Sequence, residues 1–266
     1  RPGGLDRRSV AVTGRLNWVS SVEGGVPRSQ PYRLLVGAML VFVGFAAYLI
    51  APASVGPLLV ERFAGDKTTV GAAISAAYVG WLAFQLPSGF LMDRYDNRTL
   101  LAVAVAIFVV VSTAGAFAEG YLAFLVSRAI AGTGAGLFWG VGANVVGAAF
   151  PEHRRDVATG VFVASGPLGL AVGQFASPLL AESVGLAATF PAYAGLSLVG
   201  WLLFRSAAPV GVRQPGGIDL RGFTQALLDR TVLLLSLSAL CGNAAWLFVN
   251  SWMPTYATEE LGVSLA

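Results

Sequence analysis

Apolar residues run along this chain in long unbroken stretches, without strict alternation and without confinement to one helical face. Seven such stretches, residues 34–60, 70–92, 99–118, 121–149, 157–181, 185–204 and 231–257, enclose a single charged side chain, Arg128. A helix of about 20 apolar residues crosses the hydrocarbon core of a bilayer. Lipid offers no partner to a backbone N–H or C=O, so each stretch must satisfy its own backbone as a helix. The strands of a closed barrel would alternate polar and apolar positions over about ten residues, and these stretches do not. The pattern predicts an all-α membrane protein with seven transmembrane helices.

Composition agrees with lipid as the solvent: 56% of residues are hydrophobic and 12% charged, against about a quarter charged in soluble domains. The first stretch is too long for a signal-peptide core and has no small-residue cleavage site, so it is read as an uncleaved first span. The basic residues then set orientation. Arg1, Arg7, Arg8, Arg15, Arg28 and Arg33 precede the first stretch; Arg94, Arg98, Arg154, Arg155, Arg205, Arg213, Arg221 and Arg230 lie in connections on the same side. The opposite side holds only Arg62 and Lys67. Because cytoplasmic loops carry the excess of Lys and Arg, the N-terminus is expected in the cytosol of a multi-pass protein in the cell membrane.

Segmentation follows. Residues 1–33, rich in Arg, Gly, Ser and Pro, read as a flexible cytoplasmic tail. Residues 34–205 form a six-helix bundle, 206–230 a central cytoplasmic loop containing Pro209, Pro215, Gly216 and Gly217, and 231–266 the first helix of a second, truncated bundle. Within the loop, residues 218–230 suit either a short helix on the membrane surface or a plain linker.

The second and third stretches are joined by Gly89-Phe90-Leu91-Met92-Asp93-Arg94-Tyr95-Asp96-Asn97-Arg98. Here the chain resembles the major facilitator superfamily, whose signature at this place is a Gly, an apolar stretch, Asp-Arg, an aromatic, a Gly and basic residues. Asp96 stands where the turn Gly is usual and Asn97 where the first basic residue is usual; Asp can still enter the left-handed backbone region, so a tight turn is expected. Gly89, Asp93, Arg94 and Arg98 are read as a conformational latch, with Asp93 accepting from helix-end amides or an Arg. Arg128 followed by Gly132, Gly134 and Gly136 is similar to the family's fourth helix, the glycines allowing close helix packing. Gly166, Pro167 and Gly169 resemble part of the fifth-helix signature of proton-coupled antiporters, with Leu170 and Ala171 where a double Gly would follow; they are read as a kinked packing segment.

The resemblance implies a twelve-helix secondary transporter of which this chain supplies seven helices, an incomplete gene product or fragment, with a solute site near mid-membrane exposed alternately to each side. It also implies that the first, fourth and seventh helices line the pathway. Arg128 is the leading candidate, since a charge inside a span is costly; Gly132, Ala135 and Trp139 follow it at i+4, i+7 and i+11 on one face. Snorkelling to the outer interface is the rival reading. Tyr48, Trp139 and the stripe Asn243, Trp246 and Asn250 complete the candidate solute contacts; Tyr78, Trp81, Gln85 and Asn144 rank below them. A lone Arg beside aromatics and amides suits an organic anion.

The expected function is secondary active transport of a small organic solute, with a proton or sodium as a compatible coupling ion. A proton-coupled efflux antiporter and a non-transporting scaffold or sensor are the alternatives. An intramembrane enzyme would need His, Asp, Glu or Lys inside the spans, and none is there. Cys241 is the one cysteine and His153, read as a loop residue, the one histidine, so no disulfide framework or metal cluster is expected. No cofactor is implied, and without a basic face on a folded domain nucleic acid is not an expected partner; the bilayer and a small solute are.

Overall fold

In a computed structural model the protein is described at residues 30–207, 228–260 and 262. Among the described residues the chain forms eight α-helices: α1 Gln30–Ser54, α2 Gly56–Phe63, α3 Lys67–Arg94, α4 Asn97–Ala116, α5 Tyr121–Ala149, α6 Glu152–Val184, α7 Leu186–Ala207 and α8 Arg230–Glu259. Six of these are long and apolar enough to cross a bilayer singly, and α3 supplies a seventh as two arms bent by 45° at Pro87. Every apolar stretch of the sequence therefore contributes a helix of spanning length. The short α2 stands apart from the seven.

Element ends depart from the sequence reading where polar residues extend a helix or prolines break one. The first stretch is not one helix through residue 60: α1 stops at Ser54 and α2 starts at Gly56, because Pro52 and Pro57 on either side of Val55 both lack an N–H. The start of α1 at Gln30 takes four residues from the expected tail; residues 1–29 lie outside the described residues, as does most of the surface helix or linker of the central loop. His153 is not in a loop but in the first turn of α6, which begins at Glu152. Arg154 and Arg155 in the same turn bind Tyr32 Oη at 2.9 Å and the Gly147 carbonyl at 2.9 Å, tying α6 to α1 and to the end of α5.

The turn between α3 and α4 also differs in form. Tyr95 and Asp96 are both extended, at φ −116, ψ 156 and φ −64, ψ 128, so Asp96 does not use the left-handed region. No glycine is needed for that path. Asp96 Oδ1 and Asn97 Oδ1 are buried without a hydrogen-bond partner, and Asp93 makes no hydrogen bond or ion pair to another described residue.

At the opposite end of α3, Asp66 caps the helix: its carboxylate accepts from the Thr68 and Thr69 amides at 2.8 and 3.2 Å, while Thr69 Oγ1 accepts from the Asp66 amide at 3.0 Å. Hydrogen bonding from Thr68, then from Thr69, holds the Asp66 carboxyl below the ordinary carboxylate range. Arg62 Nη2 closes the end of α4, donating to the Ala116 and Ala118 carbonyls at 2.9 Å each.

The core is built on α1, which is buried along most of its length and flanked by α6 and α7. Helix α5 packs between α3 and α4, and α4 meets α7 to complete the bundle. Two of these crossings depend on missing side chains. A Cβ on Gly132 would collide with the Ala77 carbonyl of α3, and one on Gly134 would sit 2.6 Å from the Ala104 carbonyl of α4. Helix α8 lies against α1 and leaves much of its surface exposed.

Candidate functional site

Midway along the helices the bundle lines an open cavity of about 730 Å³. Its wall takes Phe42, Ala46 and Leu49 from α1; Tyr78, Trp81, Leu82 and Gln85 from α3; Trp139 from α5; Val163, Gly166, Pro167 and Leu170 from α6; and a run about Asn243 and Trp246 from α8. These residues fall near the midpoints of their helices, so the cavity sits about midway between the two ends of the bundle. Among the described residues, no Asp, Glu, Lys, Arg or His is on that wall.

Aromatic rings define its shape. Phe42 and Trp139 lie 4.7 Å apart at 37°, Tyr78 stacks on Trp81 at 5.6 Å, and Trp81 meets Trp139 edge-on at 6.4 Å. Phe162 backs Trp139 at 5.7 Å, fixing that indole from behind. Gly166 permits the arrangement, since its Cβ would stand 3.1 Å from Phe42 Cε1.

Arg128 is not on the wall. It is 0% exposed, so it does not snorkel either. Its Nε donates to the Ala73 carbonyl at 2.5 Å, its Nη2 to the Leu49 carbonyl at 2.8 Å, and both terminal nitrogens reach the Tyr48 carbonyl at 3.3 Å. The guanidinium lies 4.6 Å from the centre of the Tyr48 ring and within 6 Å of those of Phe124 and Phe190. The placement has a backbone cause. Tyr48 is four residues before Pro52, which has no N–H, so the Tyr48 carbonyl lacks its helical donor and Arg128 supplies one from α5. The side chain clamps α1, α3 and α5 together.

A similar substitution joins α8 to α6. Asn250 is four residues before Pro254, and its carbonyl accepts from Gln174 Nε2 at 2.7 Å. The Asn250 amide turns back onto the Trp246 carbonyl at 2.8 Å. Of the candidate solute contacts, the structure brings Trp139, Asn243 and Trp246 to the cavity, and with them the lower-ranked Tyr78, Trp81 and Gln85. Arg128, Tyr48 and Asn250 are elsewhere, and Asn144 donates to Met92 Sδ at 3.1 Å. Phe42, Leu49, Val163 and Leu170 were not singled out, since an apolar residue facing a cavity looks in sequence like one facing lipid.

The sequence pattern of the Major Facilitator Superfamily matches residues 35–266, nearly all of the chain. The chain belongs to that superfamily. Among relatives, the hexuronate transporter of Bacillus subtilis (strain 168) is 24% identical over 246 residues, 88% of this chain and 58% of that protein. A putative tartrate transporter of Agrobacterium vitis is 28% identical over 201 residues, 71% of this chain and 41% of the relative. A solved structure of a bacterial homolog of the human lysosomal transporter Spinster, inward-facing and unoccupied, aligns with a TM-score of 0.71 at 14% identity, covering 90% of this chain and 58% of that one. That likeness establishes the fold. This superfamily member spans about half the length of the relatives it matches.

Proposed function

We propose that the protein carrying this chain is a secondary transporter that moves a small organic solute across the cytoplasmic membrane by alternating access, with the mid-depth cavity as this chain's share of the solute site. The cavity carries the reading: the middles of five helices converge on it, aromatic side chains and neutral amides line it, and it lies at the depth where a site is reachable from both faces. The distribution of Arg supports a cytosolic N-terminus and a cytosolic α3–α4 turn. In that orientation Gly89, Asp93, Arg94 and Arg98 form the latch, their partner surface being the rest of the transporter.

Hexuronate and tartrate, the solutes in two relatives' names, are organic acids, but among the described residues this chain's wall offers such a cargo no cation, because the donors of Arg128 are turned onto carbonyls of α1 and α3. The role of Arg128 here is to hold the helices that carry Phe42, Trp81 and Trp139.

The test needs no known solute. In a Cys241→Ala background, Asn243→Cys is treated with a membrane-impermeant thiol reagent in right-side-out and in inverted vesicles. Labelling from both sides is expected. Labelling from one side only would refute alternating access. Tyr95→Cys in the same background, at an exposed side chain of the α3–α4 turn, should react from the cytosolic side alone, and reaction from outside would reverse the orientation.

A further inference from the structure

We infer that the solute taken by this cavity is a flat, uncharged aromatic molecule that both donates and accepts hydrogen bonds; the inference rests on the cavity being the solute site. Five rings from four helices reach the wall: Phe42 on α1, Tyr78 and Trp81 on α3, Trp139 on α5 and Trp246 on α8. The spacings among Phe42, Tyr78, Trp81 and Trp139, from 4.7 Å between Phe42 and Trp139 to 6.4 Å between Trp81 and Trp139, are those of rings that stack offset or edge to face. A planar guest continues that packing, and a round hydrated one does not.

Charge is selected against in both signs. An anion entering this chain's share of the wall gives up water and meets no cation among the described residues. The nearest candidate, Arg128, lies behind Leu49, whose side chain is on the wall and whose carbonyl accepts from the guanidinium at 2.8 Å. Ala73 and Tyr48 carbonyls take its other donors. A cation would find ring faces, but among the described residues it would find no carboxylate on the wall and the fixed positive charge of Arg128 behind it.

The polar groups that remain are neutral and include donors as well as acceptors: the Tyr78 hydroxyl and the indole N–H groups of Trp139 and Trp246 belong to wall residues. Asn243 spends one N–H of Nδ2 on the Ala239 carbonyl at 2.8 Å, which leaves its second N–H and Oδ1. Gln85 adds a second neutral amide. Pro167 has no N–H for the carbonyl four residues earlier, and that residue, Val163, is itself on the cavity wall. A guest that both donates and accepts suits this mixture.

Three probes separate the properties: 1-naphthol, planar, neutral and carrying one O–H; 1-naphthalenesulfonate, the same ring with a negative charge; and D-glucuronate, an anion with no aromatic ring. Each is titrated against the full chain in lipid nanodiscs, with quenching of tryptophan emission corrected for empty nanodiscs. Saturable binding of 1-naphthol is expected, with the sulfonate at least tenfold weaker and glucuronate failing to displace 1-naphthol. Trp246→Leu, at a side chain 43% exposed and outside the six-helix core, should weaken 1-naphthol at least fivefold with helix content unchanged. Trp139→Leu is the second variant. Tighter binding of either anion than of 1-naphthol, or affinities within twofold of the original in both variants, would overturn the inference. If two-sided labelling of Asn243→Cys holds while 1-naphthol fails, the solute class is wrong and the transport reading stands. If that labelling fails, the cavity is not a pathway and both fall.

Discussion

Replacing Arg128 by Met removes the donors that reach three carbonyls, but those carbonyls are not equivalent. Leu49 and Ala73 lie within α1 and α3 with non-proline residues four positions on, so each keeps a helical donor. Tyr48 does not, because position 52 is proline. The substitution leaves one buried carbonyl unsatisfied, at a cost of about 1–3 kcal/mol. The 3.3 Å approach of the two guanidinium nitrogens places the expected value near the lower end, at about 1–2 kcal/mol. Loss of the cation above Tyr48 adds to this, and relief of a buried charge subtracts a comparable amount. A double-mutant cycle removes both common terms. In Pro52→Ala the restored N–H satisfies Tyr48 from within α1, so Arg128→Met should cost about 1–2 kcal/mol less there than in the original chain. Reversible unfolding in mixed detergent micelles, followed by tryptophan emission, measures the four stabilities. Additivity within about 0.5 kcal/mol would mean that Arg128 does not stand in for the missing proline donor.

Three further outcomes follow from the fold. Asp66 has a depressed folded-state pKa, so its contribution to stability is fully present above the unfolded value and is lost as pH falls through the folded one; Asp66→Asn should lower the melting temperature at neutral pH and flatten its decline on acidification, and identical acid profiles would refute the cap. Ala64 ends α2 at φ 48, in the left-handed region; Ala64→Gly removes about 1–2 kcal/mol of strain against about 0.5–1 kcal/mol of added chain entropy, and should raise stability slightly in a thermal melt. Gly132→Ala sets a Cβ against the Ala77 carbonyl; overpacking of about 1–3 kcal/mol should appear as early melting and lower detergent-soluble yield, while Gly160→Ala, where a Cβ meets nothing within 4 Å, should leave both unchanged.

The spans were legible because bilayer thickness and the need to pair every backbone group act on length and apolarity, both of which are local properties of the chain. The break at Val55 was legible in principle as well, since Pro52 and Pro57 are visible in the sequence. The site was less so. Asn243 and Trp246 share a stripe with Asn250, and the first two reach the cavity while Asn250 is tied to α6 through its carbonyl. Arg128 and Trp139 were placed on one face of α5, yet eleven residues apart along a helix they meet different neighbours: Trp139 meets an opening, and Arg128 meets the carbonyls of α1 and α3.

By itself the sequence determined that this chain crosses a membrane as helices, how many such helices it holds and, through the glycines of α5, where backbones can approach. Which polar side chains face the solute path was decided only by the tertiary structure. A helical face is open or closed according to what packs opposite it. A proline on one helix sets the demand for a donor on another, and the residue that meets that demand lies 80 positions away in the chain.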